Sequence, residues 1–298
     1  MAIFTVTLNT AIDVVISEKD YLEKNKKKAV SIPAGKGINV SRALKSAGIS
    51  STAIALVGIK DIKLFNTIKD DKINAIFLTV KGSTRRNTTV IDTNDGLEHH
   101  KKSMGFTASE EDLTRVYNIL LENVFEGDWV IFSGSLPKGM PSDAYQKLIA
   151  LCKMKGAYTL LDSSGEALLL GLKSSPFALK PNEEELEEIT GMIPENDNDT
   201  EKIVKKISAM YDIPVILATF GEKGGILYSF EKDQMYKDDE PVNNMKVVST
   251  VGSGDCCVAG LVVSLLEHCR YDECLKRAMA YAHANMNTPV PGVFFTDK

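Results

Sequence analysis

Ser249-Thr250-Val251-Gly252-Ser253-Gly254-Asp255-Cys256-Cys257-Val258-Ala259-Gly260 is a glycine-rich turn that runs directly into an apolar helix. Glycines 252 and 254 let the backbone fold so that several N–H groups converge at the helix N-terminus. Such a turn is an anion site, suited to a phosphoryl group in flight. Asp255 stands at its mouth. Within the tetrapeptide alone a simpler role is open to Asp255, that of helix N-cap. The segment is not a dinucleotide fingerprint, because Cys257 occupies the third glycine position, and the chain carries no Walker A sequence.

Outward from this turn, short apolar runs rich in β-branched residues alternate with amphipathic segments, the pattern of a sheet with crossover helices. Strands are expected at 4–8, 53–57, 75–80, 129–132, 158–162, 177–180 and 215–219, and helices at 38–47, 109–123, 142–154, 183–189, 201–211 and 255–269. Strands that are nearly all apolar are buried on both faces, hence a mostly parallel sheet. The fold class is α/β, a three-layer α/β/α sandwich spanning 1–298 as one domain.

Two stretches break the rhythm. In 13–32 an apolar run leads into the turn Glu23-Lys24-Asn25-Lys26-Lys27-Lys28 and returns; in 84–100 a hairpin joins Asn87–Asp92 to Leu97–His100 through Thr93-Asn94-Asp95-Gly96. Both read as antiparallel structure projecting from the large domain. Together they would make a β-sheet lid, which excludes water from phosphoryl transfer. The lid's outer face calls for cover, from the same chain or from a second subunit's lid in a homodimer.

Composition bounds the partners. With 298 residues, 44% hydrophobic content and a formal charge of −5, the chain builds a sizeable core and has no bulk attraction for nucleic acid or an anionic membrane. An anionic ligand must be held locally. No basic leader precedes an apolar run and no apolar stretch reaches 18 residues, which reads as soluble and cytoplasmic. The five cysteines lack CxxC pairs and suit a reducing compartment, while His99 and His100 have no metal-ligand spacing.

Further clusters carry chemistry. Pro33-Ala34-Gly35-Lys36-Gly37-Ile38-Asn39 opens a helix; its glycines permit close approach to a ligand, Lys36 supplies a point charge and Asn39 an amide for hydroxyls or phosphate oxygens. An ordinary helix start would look similar. Leu179-Lys180-Pro181-Asn182-Glu183-Glu184-Glu185 is a strand end, a proline turn and an acidic first helical turn, with Asn182 a natural cap. Arg85 beside the hairpin is a natural fork for phosphate, although Arg85-Arg86 taken alone reads first as a solvated surface pair. Ser133-Gly134-Ser135-Leu136-Pro137 and Thr219-Phe220-Gly221-Glu222-Lys223-Gly224 each follow a buried strand at its carboxyl end, where open α/β sheets bind ligands.

In their order along the chain these motifs resemble the ribokinase-like, or PfkB, family of carbohydrate kinases, over almost the whole length. Thr5-Val6-Thr7-Leu8-Asn9-Thr10-Ala11-Ile12-Asp13 is similar to the opening of the branch containing 1-phosphofructokinases and tagatose-6-phosphate kinases. The resemblance implies ATP and Mg²⁺ as cofactors and a small sugar phosphate as partner, fructose 1-phosphate first and tagatose 6-phosphate second. Another sugar or nucleoside kinase of this fold and a non-catalytic sugar-phosphate sensor are the remaining alternatives.

By the same resemblance, Asp13, Gly35, Lys36 and Asn39 would hold sugar hydroxyls, and Arg85, Lys26 and Ser135 the existing phosphate. Asn182 and Glu185 would position magnesium through water. Lys180, Thr219, Gly221, Glu222 and Gly224 would border the nucleotide, and Asn285 would line the adenine pocket. Gly252, Ser253 and Gly254 would form the anion hole, and Asp255 would take the hydroxyl proton, a carboxylate of ordinary basicity sufficing in a loose transition state. Three departures from the family pattern stand out: Thr10 for a proline, Pro33-Ala34, and Gly58-Ile59-Lys60-Asp61 without a glycine after the acid.

Overall fold

Every residue of the first strand, β1 (Ile3–Thr7), is buried. Phe4 and Val6 enter one apolar layer and Ile3 the other, while Thr5 Oγ1 lies 2.8 Å from Ser41 Oγ across the second layer. A strand covered on both faces in this way belongs inside a parallel sheet. The computed structural model describes residues 1–17, 29–69, 73–91, 98–238, 247–288 and 290–294.

The chain continues through β2 (Ala11–Ser17), β3 (Val30–Ala34), α1 (Lys36–Ser46), β4 (Thr52–Gly58), α2 (Ile62–Phe65), β5 (Asn74–Val80), β6 (Arg85–Ile91) and β7 (Glu98–Lys102). There follow α3 (Glu110–Asn123), β8 (Trp129–Ser133), α4 (Ala144–Met154), β9 (Tyr158–Asp162), α5 (Gly165–Leu172), β10 (Ala178–Leu179), α6 (Glu183–Thr190) and α7 (Asp197–Tyr211). The last elements are β11 (Val215–Thr219), β12 (Gly225–Ser229), β13 (Gln234–Asp238), α8 (Ser253–Leu266) and α9 (Tyr271–Met286).

The large sheet has the order β13-β12-β11-β10-β9-β8-β1-β4-β5. Its strands are parallel from β11 to β5, and β12 and β13 are added antiparallel at one edge. Side chains of α1, α8 and α9 share one apolar layer with Ile131, Leu160 and Leu217; those of α3, α4, α5 and α7 share the other with Phe132, Leu161 and Ile216. The expected α/β/α sandwich is present.

Both irregular stretches form one smaller sheet of order β3-β2-β6-β7. β2–β3 and β6–β7 are antiparallel, as expected, but β2 and β6 pair in parallel, Asp13 standing opposite Asn87. The difference follows from the connection: β2 and β6 each leave the large sheet in the same direction. At the root of the lid, Gly58 N–H donates to Thr84 Oγ1 (3.0 Å) and Asp61 Oδ2 accepts from Thr84 N–H (2.8 Å). A Cβ on Gly58 would meet Thr84 N at 2.4 Å, so the glycine at this crossing is a steric requirement.

Some expected boundaries shift. The strand at 177–180 is only Ala178–Leu179, and the helix at 255–269 runs Ser253–Leu266. α2, α5, α9, β12 and β13 were not expected from the sequence. The buried stripe of α9 is made largely of small residues, Cys274, Ala278 and Ala282 with Leu275 and Met279, which give little hydropathic contrast. β12 begins beside the Gly224-Gly225 pair, which reads as a turn.

Candidate active site

α8 begins at Gly252, whose left-handed backbone (φ 87°) turns the chain into the helix. A Cβ there would come within 2.7 Å of Pro291, so both conformation and space call for glycine. Ser253 N–H donates to Thr250 carbonyl at 3.2 Å. The N–H groups of Gly254 and Asp255 have no intrahelical acceptor, since they lie in the first turn. Of the N–H groups at this turn, that of Ser253 is already engaged, and those of Gly254 and Asp255 are the ones left open.

Asp255 is not the helix cap. Gly252 holds that position and no side chain caps the helix. The Asp255 carboxylate is buried and accepts a 2.8 Å hydrogen bond on Oδ2 from Asn39 Nδ2. Burial pushes its pKa up to about 7; Lys36, the Asn39 bond and Lys180 pull it down, and Asp162 adds to the rise. That differs from the ordinary basicity expected from sequence, and it puts the group where a general base works best near neutral pH.

Lys36, in the first turn of α1, reaches Asp162 at the end of β9: Nζ to Oδ1 is 3.1 Å, and Lys180 Nζ approaches the same oxygen at 3.3 Å. Burial alone would raise the Asp162 carboxyl, but the two ammonium groups outweigh it and hold the pKa below the usual carboxylate range. Asp162 Oδ2 is buried with no hydrogen-bond partner. Sequence reading missed Asp162. The available signal was an acid closing an otherwise apolar strand, Leu160-Leu161-Asp162, at the sheet's ligand-binding end.

A cavity of about 500 Å³ between lid and large sheet is lined by Asp13, Gly35, Lys36, Asn39, Arg85, Gly252, Gly254 and Asp255, residues from four separate motifs. Lys101 and Lys102 of β7 join the lining and had not been singled out. Asn87 Nδ2 donates to Asp13 Oδ1 (2.8 Å), and burial raises the Asp13 pKa against that bond. Arg85 donates from Nε to Thr10 carbonyl and from a terminal nitrogen to Asn9 carbonyl, both at 3.3 Å. Thr10, which stands where the family pattern has proline, is buried and donates its hydroxyl to Leu56 carbonyl at 2.7 Å, so the departure is absorbed locally.

The other singled-out residues lie off this lining. Ser135 is exposed, its Oγ accepting from Asn9 Nδ2 at 3.1 Å. Lys26 falls outside the described residues. Asn182 and Glu185 form a reciprocal capping box at the start of α6, and Asn182 bridges Thr219, which ends β11. Gly221 (φ 60°) and Gly224 (φ 84°) shape the turn after β11, with Glu222 exposed between them. Asn285 is fully buried: Nδ2 donates to Val251 carbonyl (2.9 Å) and Oδ1 accepts from Gly292 N–H (2.8 Å). Its amide braces the turn that leads into Gly252.

The donor set fits a hydrated divalent cation better than a directly ligated one. Among the described residues no three His, Cys, Asp or Glu side chains cluster as metal ligands. Glu185 is buried, and burial raises its pKa despite the opposing pull of Lys180. A cation reached through water would relieve that desolvated charge. Likewise the two open N–H groups at the head of α8 fit an anionic phosphoryl group. All five cysteines are free, and no described helix is long and apolar enough to cross a membrane.

Comparison with known proteins agrees with this geometry. The chain is 32% identical over 280 residues to 1-phosphofructokinase of Bacillus subtilis (strain 168), covering 92% of this chain and 89% of that one. Phosphofructokinase-2 from Escherichia coli, solved in complex with substrates and products, superposes with a TM-score of 0.86 at 25% identity over 96% of this chain and 93% of that one. Arabidopsis thaliana ribokinase, solved with ribose and ATP, shares the fold at a TM-score of 0.72 and 21% identity, over 99% and 96% of the two chains. The pfkB family carbohydrate kinase domain matches residues 5–291, and the chain belongs to that family.

Proposed function

We propose that the protein transfers a phosphoryl group from MgATP to a free hydroxyl of a ketohexose monophosphate. Fructose 1-phosphate is the first choice of acceptor, giving fructose 1,6-bisphosphate, and tagatose 6-phosphate is the second. The observation that carries this reading is the shared cavity in which Asp255 and Arg85 both face the same space. A base and a phosphate fork in one cavity suit an acceptor that already bears a phosphate. The identity to a 1-phosphofructokinase supports the choice of sugar.

In this reading Asp13, supported by Asn87, and Asn39 orient sugar hydroxyls, and Arg85 grips the acceptor phosphate together with Ser135. MgATP, when bound, supplies the γ-phosphoryl group. Asn182 and Glu185 hold the metal through water, while Lys180, Thr219 and the Gly221–Gly224 turn border the nucleotide, with Asn285 behind the anion-hole turn. Asp255 receives the hydroxyl proton, and the N–H groups of Gly254 and Asp255 stabilise the charge on the moving group. A ligand sensor has no use for a base whose pKa is set near neutrality. The lid is the natural surface for a homodimer.

ADP release measured with a panel of fructose 1-phosphate, fructose 6-phosphate, tagatose 6-phosphate, fructose and ribose tests the assignment. Highest kcat/KM on a ketohexose phosphate is expected. Highest kcat/KM on an unphosphorylated sugar would overturn it.

A further inference from the structure

Arg42 lies one helical turn beyond Asn39 on α1 and is 5% exposed, an unusual depth for a guanidinium. One terminal nitrogen donates to Asn39 Oδ1 at 3.2 Å and the other to Pro33 carbonyl at 2.6 Å. Pro33 belongs to β3, the edge strand of the lid, where it pairs with Ile12. Asn39 Nδ2 in turn donates to Asp255 Oδ2 at 2.8 Å. One planar fork therefore touches the lid on one side and, through a single amide, the carboxylate on the other.

From this arrangement we infer that Arg42 is a positioning residue that ties the lid strand to Asp255 by fixing which end of the Asn39 amide faces the carboxylate. The inference rests on the kinase reading above for its catalytic consequence. An amide has an acceptor end and a donor end of nearly the same shape. With Oδ1 held by Arg42, only the N–H end is presented to Asp255. Without that restraint the amide can turn over and set its carbonyl oxygen against a carboxylate, which disfavours the ionised base. Lysine cannot replace this, since an ammonium group lacks the rigid fork that spans two fixed acceptors. The other charged groups around Asp255 are Lys36 on α1, Asp162 at the end of β9 and Lys180 after β10, with the Cys257 thiol beside it on α8. None of them contacts the lid backbone as Arg42 does. Arg42 also opposes the rise that burial gives the Asp13 pKa on β2, a second tie to the lid.

The experiment is a double-mutant cycle of Arg42→Met and Asn39→Ala with two readouts. The first is the titration of Asp255 in ligand-free protein by carboxyl ¹³C NMR, its signal identified by loss in Asp255→Asn. The second is kcat with its pH profile. Arg42→Met is expected to move the Asp255 midpoint to higher pH by about one pH unit and to lower kcat about tenfold, the size of one lost hydrogen bond to a charged group. In the Asn39→Ala background it should add little to either. Arg42→Lys, which keeps the charge and is less disruptive, should move both readouts in the same direction. An unmoved midpoint in Arg42→Lys or Arg42→Met, or effects that add in full to those of Asn39→Ala, would overturn the relay. Absence of turnover with every sugar phosphate would instead refute the proposed function, and the titration cycle would still decide the role of Arg42.

Discussion

Lys36 Nζ, from α1, lies 3.1 Å from Oδ1 of Asp162 at the end of β9, a carboxylate with no solvent exposure. Lys180 shares that oxygen. The cluster is thus two cations on one buried anion, and removing the anion leaves Lys180, 5% exposed, with no counter-charge at that distance. Lys36, 42% exposed, loses less because water screens it. Asp162→Asn is therefore expected to destabilise the protein by about 3 kcal/mol in urea unfolding at pH 7. Because the folded-state pKa of Asp162 is depressed, its contribution is present above the ordinary carboxylate pKa and is lost as pH falls through the folded value. The gap between variant and wild type should narrow below about pH 4. A pH-independent gap would show that packing, not charge, is responsible.

Arg85 is the second test. If its guanidinium grips the acceptor phosphate, Arg85→Ala should raise the acceptor KM by a factor corresponding to about 2 to 5 kcal/mol. The KM for ATP should move by less than about threefold, a change too small to mean a lost contact. Arg85 is half-buried and burial lowers its pKa, but a guanidinium stays charged across any assay pH. Equal activity on fructose and fructose 1-phosphate in the unmutated protein would remove the reason for the clamp.

Much of this was legible because the fold writes it in local chemistry. The parallel strands announce themselves by apolar runs such as Trp129-Val130-Ile131-Phe132, and the glycine at 252 by a left-handed turn that favours glycine. What was not legible depends on pairs distant in sequence. Asp255 and Asn39 are 216 positions apart, and nothing in either segment says that one amide holds the other's carboxylate. Arg42 reads locally as one more charge on an amphipathic helix. Its burial is decided by Pro33 and Asn39 only once the lid has folded against α1. The partners of Asn285 were hidden in the same way, its amide meeting Val251 carbonyl and Gly292 N–H only in the folded chain.

The lid offers a third test. Val30 on its edge strand is 58% exposed, and Met104, just past β7, is 81% exposed. Exposed apolar residues bordering a four-stranded sheet are what a symmetric partner lid would cover. Light scattering should return a dimer mass, and Val30→Lys should shift it toward monomer. A monomer at assay concentration in the wild type would reject pairing through the lid and leave the kinase reading intact.

The chemistry itself turns on Asp255. Since it takes the hydroxyl proton only when ionised, kcat/KM for the acceptor should rise with pH through about 7, the value to which burial pushes the group in the free protein, and level off above it. Asp255→Asn keeps the size of the side chain and removes the basic oxygen, so kcat should fall by about 10² to 10⁴ while both substrates still bind. Stability moves the other way. A carboxyl whose folded pKa lies above its unfolded value favours the fold at low pH and loses that contribution as pH rises through the folded pKa. Replacing it with a neutral amide should leave the melting temperature at pH 8 equal to or above that of the wild type. A capping role would have predicted a lower melting temperature and normal turnover, and the geometry gives the cap to Gly252. If Asp255→Asn keeps more than about a tenth of wild-type kcat, a barrier change below about 1.4 kcal/mol, some other group accepts the proton and the mechanism proposed here fails.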